Sequence, residues 1–327
     1  MLDLRLFARP LLLAPAVAFV ACSSSPDDSG NTSVACRAIT QTVASRPAGW
    51  SGTVFTIVME NHSGDQIFGS SDAPFINSLA AQGAVAAGYH DSYVHPSEPN
   101  YLWMVAGENF GILDDNDPGP SNTIASRSHL ADQLELADLT WRAYEEAMGS
   151  PCGLQSQGLY AAKHDPFVYF SDINGWDGTQ FVPGARCMQH VVDYTELDAD
   201  VAAGALPDYV FITPDLDDDM HDGTVAQGDA WLAAEVPKIL ATSAYKEGGV
   251  LFLLWDEGAN SGDDPPFIAV SPNITPGTVS QTSYDTSSFL LTVEKILGVE
   301  ALPCATDPNA VAPMSDLFAV PLATGSE

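Results

Sequence analysis

Apolar runs alternate with helical patterns along most of this chain. Thr53 to Met59 is β-branched and nearly continuous in apolar character, the signature of a strand covered on both faces. Leu139 to Tyr144, Phe167 to Phe170, Asp208 to Ile212 and Pro266 to Ser271 read as shorter strands, and Gly249 to Trp255 is the most apolar. Between them, Asp72 to Gly83 reads as a helix that Asp72 caps and Gly83 ends. Further helices are expected over Tyr101 to Ala106, His129 to Ala137 behind a Ser128 cap, and Thr195 to Ala203. Gln227 to Leu240 is helical with a kink expected at Pro237, and Ser287 to Leu297 ends at Gly298. Gly149 to Arg186 is rich in Gly and Pro and reads as loop. Strands alternating with helices predict an α/β fold, a three-layer α/β/α sandwich around a largely parallel sheet. No linker-like stretch interrupts it, so residues 50–327 read as a single domain.

The first residues follow another pattern. Arg5 and Arg9 precede an apolar run from Leu11 to Ala21, too short to span a bilayer and suited to an export signal. Phe19-Val20-Ala21-Cys22 resembles a lipoprotein cleavage box, which makes residues 1–22 a signal peptide with an acylated Cys22. An ordinary signal cleaved nearby is the alternative. Residues 23–49 open on SSSPDDSGNTS and read as a flexible tether. The expectation is an exported protein, held at the cell envelope by lipid or else secreted. Reserving Cys22 leaves Cys36, Cys152, Cys187 and Cys304 for two disulfides with three possible pairings. Cys152–Cys187 with Cys36–Cys304 is the pairing favoured here.

Composition removes several partner classes. Across 327 residues the formal charge is −32, yet 46% of residues are hydrophobic, too many for a disordered chain. Such acidity argues against nucleic acid and against docking on anionic lipid, leaving a lipid anchor as the one membrane link. An anionic substrate would need a local cation. Oligomeric state is not readable.

Two strands run directly into acids. Thr53–Met59 leads to Glu60-Asn61-His62, and Gly249–Trp255 leads to Asp256-Glu257-Gly258. Sites in open α/β sheets lie beyond the carboxyl ends of strands, so Glu60, Asn61, Asp256 and Glu257 are expected at one rim. Three carboxylates there need protons or a hard divalent cation such as Mg, Ca or Mn. In His95-Pro96-Ser97-Glu98-Pro99-Asn100-Tyr101, Ser97 stands just before a helix, either as a plain cap or as a nucleophile. His164 and His221 each have an adjacent aspartate to orient them and raise their pKa, and each could bind a phosphoryl oxygen or protonate a leaving group. Asp215, Asp217 and Asp219 resemble an EF-hand start, but Met220 and Ala226 occupy the positions that need Gly and Glu. His62, His90, His129 and His190 receive no role.

Taken together, these segments resemble the phosphoesterase family of secreted acid phosphatases and bacterial phospholipases C, within the alkaline-phosphatase-like superfamily. The pieces run in order from Val58-Met59-Glu60-Asn61-His62-Ser63 through the Ser97 segment, Ala162-Lys163-His164-Asp165-Pro166-Phe167, Met220-His221-Asp222 with Gly228-Asp229, and Trp255-Asp256-Glu257-Gly258. The resemblance implies that Glu60, Asn61, Ser97, Asp256 and Glu257 bind one divalent metal, Mg, Ca, Mn or Zn. It implies that Ser97 becomes phosphorylated, that His164 and His221 contact the phosphoryl group, and that the pH optimum is acidic. Tyr284-Asp285-Thr286-Ser287-Ser288 stands where relatives often carry a histidine, which speaks against a second metal, and Asp215 replaces a frequent asparagine. The expected activity is phosphomonoester hydrolysis on a small phosphomonoester or a phospholipid. A phospholipase C or phosphoinositide phosphatase is one alternative, and an inactive surface protein that holds calcium is another.

Overall fold

Val54 and Val58 face one apolar core, while Phe55, Ile57 and Met59 face another. That period of two makes the strand the middle layer of a sandwich. The computed structural model describes residues 45–92, 94–125, 129–302 and 311–322. Among them, β1 (Val54–Met59), β2 (Ala84–Ala86), β3 (Trp141–Glu145), β4 (Val191–Asp193), β5 (Tyr209–Thr213), β6 (Val250–Trp255), β7 (Phe267–Val270) and β8 (Thr278–Ser280) form one sheet. Its order is β4-β3-β5-β1-β6-β7-β2-β8. β7 runs antiparallel to both β6 and β2, and the other pairs are parallel. Helices Ser97–Ala106, Leu130–Leu136 and Thr286–Leu297 fill one core, and helices Pro74–Gln82, Glu196–Ala203 and Val225–Ala241 fill the other. This is the predicted three-layer α/β/α sandwich.

Several boundaries differ from expectation for identifiable reasons. Phe167 to Phe170 is not a strand: Pro166–Tyr169 is a 3-10 turn, started by Pro166 and by the Asp165 side chain accepting from Phe167 N. Its residues are apolar because they are buried on all sides, so periodicity could not identify them. Asp72 does not cap the helix it precedes. The Asp229 carboxylate, from helix Val225–Ala241, accepts from Phe75 N at 3.2 Å and Ile76 N at 2.8 Å instead. Gly228 beside it is needed for close approach, since a Cβ there would lie 2.5 Å from the Met220 side chain. The Gly228-Asp229 pair is therefore architectural. Helix Val225–Ala241 runs on through Pro237. Ser97 is the first residue of its helix, behind Pro96, rather than the residue before it. Strands β2, β4 and β8 have three residues each, too few to show a period.

The Cys152–Cys187 bridge is present, with Cα atoms 5.3 Å apart, and closes the largely irregular 149–186 segment. Cys22, Cys36, Cys304, Ser128 and the expected signal peptide lie outside the described residues. At the end of the expected tether, Ser45 N donates to Gly298 O, and Arg46 pairs with Asp208 at 2.6 Å. No helix among the described residues is long and apolar enough to cross a membrane.

Glu294 is fully buried in helix Thr286–Leu297, accepts from Leu302 N at 2.8 Å, and is pushed by burial up to about 8. A carboxyl with a raised folded-state pKa stabilises while protonated, and that contribution fades as pH climbs from 4.5 towards about 8. Glu294→Gln keeps the acceptor and removes the ionisation. We expect it to raise stability near pH 8 by on the order of 2 kcal/mol and to be neutral near pH 4. Urea unfolding at both pH values checks this; an equal effect at both contradicts it.

Candidate active site

β1 and β6 lie side by side in parallel register, with Met59 opposite Trp255. The next residue of each strand, Glu60 and Asp256, is therefore delivered to the same edge, and Asp256 N donates to Met59 O at 3.1 Å. Both carboxylates are fully buried. Asn61 adopts a left-handed backbone with φ 48°, a conformation asparagine tolerates and one that marks functional turns. Its N–H reaches Asp256 Oδ1 at 3.3 Å. Its amide oxygen lies 3.0 Å from Glu60 Oε2, 3.2 Å from Asp256 Oδ1 and 3.3 Å from Glu257 Oε1.

Three carboxylate oxygens thus crowd the Asn61 amide oxygen at hydrogen-bonding distance. Either the amide turns over to donate, or a cation lies among them. Glu60 Oε1 and Asp256 Oδ2 are also buried without a hydrogen bond of ordinary geometry among the described residues. Burial pushes Glu60 well above the usual carboxylate range, reinforced by Asp256 and Asp219. Burial raises Asp256 likewise, with Glu257 adding to it. Glu257 is lifted to about 8 by burial, then by Asp91 and Asp115. Such groups want either protons or a divalent ion, and an all-oxygen set suits a hard one. The residues present fit that ion.

Ser97 meets this cluster from the helix Ser97–Ala106. It opens helix Ser97–Ala106 and is buried, and its hydroxyl donates to Glu60 Oε2 at 2.9 Å. The same hydroxyl lowers Asp256, so it stands between both carboxylates. Asn100, one turn on, donates to Glu257 Oε2 at 3.1 Å, and His95 Nδ1 sits 2.6 Å from the same oxygen.

His164 closes the other side. It belongs to the 3-10 turn Ala162–His164. Its Nε2 is 3.3 Å from Glu60 Oε1, its Nδ1 is 3.2 Å from Asp219 Oδ2, and its ring stacks on Tyr101 at 5.1 Å. The adjacent Asp165 does not orient it, because that carboxylate accepts from Phe167 N. Nor is its pKa raised: burial, then Lys163 and His221, hold it well below the usual histidine range. Asp222 orients His221 as expected, the ring Nδ1 resting on its carboxylate at 2.8 Å. One nitrogen each of His164 and His221 and one oxygen of Glu60 lie within 4.8 Å of one another.

All the predicted site residues therefore converge. Sequence reasoning missed Asp219, Asn100, His95, Asp115 and Lys163. In the sequence, Asp219 reads only as part of an EF-hand start. Instead Asp215 takes the turn, accepting from Asp217 N and Asp218 N, and Asp219 faces His164. Met220, at φ 81°, bends the chain so that His221 N reaches Asp219 Oδ1 at 2.7 Å. Among the histidines given no role, His62 Nδ1 lies 2.9 Å from Glu60 O, and His129 is buried beside Asp172 in a network joined by Arg186.

Residues 66–300 match the model of the phosphoesterase family. The chain belongs to that family. This phosphoesterase is 34% identical over 269 residues to a phosphatidylinositol-3-phosphatase of Mycobacterium tuberculosis, covering 81% of the chain and 82% of that protein. It is 29% identical over 256 residues to a probable acid phosphatase of Kluyveromyces lactis, covering 73% of the chain but 56% of that longer protein. In fold it is similar to a solved alkaline phosphatase superfamily protein from Vibrio parahaemolyticus, with TM-score 0.55 at 14% identity over 83% of this chain and 73% of that one.

Proposed function

We propose that this phosphoesterase is an exported, metal-dependent phosphomonoesterase of acid-phosphatase type with Ser97 as nucleophile. The observation that carries the reading is the Ser97 hydroxyl on Glu60 Oε2, beside the buried Glu60, Asp256 and Glu257 carboxylates at the ends of β1 and β6. Glu60, Asn61, Ser97, Asp256 and Glu257 would hold one divalent ion. That ion, when bound, supplies positive charge that acidifies the hydroxyl and balances the phosphoryl oxygens. Ser97 Oγ attacks phosphorus in line with the leaving alcohol, its proton passing towards Glu60 Oε2. His221, oriented by Asp222, faces the leaving oxygen as proton donor and later accepts a proton from water as the phosphoserine is hydrolysed. His164, wedged between Glu60 and Asp219, fixes the Glu60 carboxylate. Export would follow the Arg5 to Cys22 signal, with acylated Cys22 as the membrane anchor.

Similarity to the mycobacterial enzyme favours a second reading in which the phosphomonoester sits on a lipid, such as a phosphoinositide. Product analysis separates the possibilities. With p-nitrophenyl phosphate and short-chain phosphatidylinositol 3-phosphate, the expected product is inorganic phosphate. Diacylglycerol from phosphatidylinositol would identify a phospholipase C instead. No product under any divalent metal would leave the calcium-holding protein.

A further inference from the structure

Lys163 has no part in the chemistry above, yet it lies against that site. Its ammonium donates to Asp115 Oδ2 at 2.9 Å and to His221 Nε2 at 3.1 Å. The other oxygen of Asp115 accepts from Glu98 N at 3.0 Å, the residue after Ser97. Lys163 is thus strung between the proton-handling histidine and the helix that presents the nucleophile. We propose that Lys163 is a phosphate-binding residue, the fixed cation that receives an equatorial phosphoryl oxygen opposite the carboxylate cluster. This rests on the phosphomonoesterase reading.

Four observations support it. An ammonium has three N–H donors, and two are engaged, so one remains for a substrate oxygen. Both ring nitrogens of His221 are engaged, Nδ1 by Asp222 and Nε2 by Lys163, so a second cation cannot bind through His221 while Lys163 is there. The positive charge next to the carboxylate centre is therefore a side chain. Burial works to lower Lys163, but Asp115, Glu60 and Asp256 together outweigh it and hold the ammonium above the ordinary lysine range, so it stays charged through the working pH range. Finally, in a chain of net charge −32, Arg46, Arg142, Arg186 and Lys238 are paired with carboxylates elsewhere. A dianionic phosphate entering this site meets Lys163 as its protein cation.

The geometry also fixes an order. The Lys163 ammonium donates to His221 Nε2, and the other ring nitrogen rests on Asp222. A phosphoryl oxygen that takes over the ammonium leaves the Nε2 lone pair free for a proton.

Lys163→Met and Lys163→Arg test the assignment, with kinetics on p-nitrophenyl phosphate, inhibition by inorganic phosphate, Mn titration and thermal melting. For the Met variant we expect kcat/KM to fall about 100-fold and phosphate inhibition to weaken about 10-fold or more. Melting temperature and Mn affinity should stay close to wild type, and Arg should recover part of the loss. Phosphate inhibition and kcat/KM both within about threefold of wild type would overturn the assignment. Should the wild type hydrolyse no phosphomonoester, the functional reading fails separately. Phosphorus NMR titration with inorganic phosphate then still decides Lys163: binding by wild type but not by the Met variant supports it, and equal binding, or none by either, overturns it. If Lys163→Met does not fold, Lys163→Gln is measured in the same titration.

Discussion

Ser97→Ala should lose phosphatase turnover by about four to six orders of magnitude while folding normally. The hydroxyl stands 2.9 Å from Glu60 Oε2 at the start of a helix and also meets the Asp256 carboxylate. Its removal costs one buried hydrogen bond, about 1 kcal/mol, so melting should shift by only a few degrees. The variant should still bind inorganic phosphate and the cation, because Glu60, Asp256, Glu257 and Lys163 remain. Phosphate release at the wild-type rate would remove the nucleophile assignment.

Removal of the divalent ion should have the next largest effect. Exhaustive chelation is expected to lower kcat/KM by more than about 100-fold, with recovery on adding back Mn, Mg, Ca or Zn identifying the metal. Stability adds a second signature. In the ion-free protein, burial raises Glu60, Asp256 and Glu257, so their protonated forms stabilise the fold at low pH. That stability is fully present below the unfolded-state values and lost as pH rises towards about 8, the Glu257 value. A cation replaces those protons, so its effect on melting should grow from about pH 5 to about pH 8. Asp256→Asn should abolish both the activity and this pH-dependent gain, yet stabilise the ion-free protein at high pH by deleting a buried charge. Full activity after chelation, with no metal left by elemental analysis, would contradict the role of the ion.

Much of the site was legible because strand chemistry is local. A buried apolar strand must leave the sheet, and where two such exits carry Glu60-Asn61 and Asp256-Glu257, parallel register brings them together. The Ser97 segment could be placed near a helix start, though not within hydrogen-bonding distance of Glu60, because that contact joins residues 37 positions apart in the sequence. Lys163 and Asp219 were hidden for a different reason. Their roles depend on a 3-10 turn and a left-handed Met220, neither of which has a period. A signal for Lys163 did exist: a rare basic residue beside a predicted site histidine in a strongly acidic chain. The Phe167 segment misled because complete burial erases the difference between strand and turn.

The most direct test is anomalous diffraction from crystals soaked in Mn. One peak should appear within about 2.5 Å of carboxylate oxygens of both Glu60 and Asp256, with Asn61 and the Ser97 hydroxyl beside it. Density only elsewhere, for instance at Glu146, Asp215 and Asp218, or none at all, would contradict a cation-centred serine phosphatase.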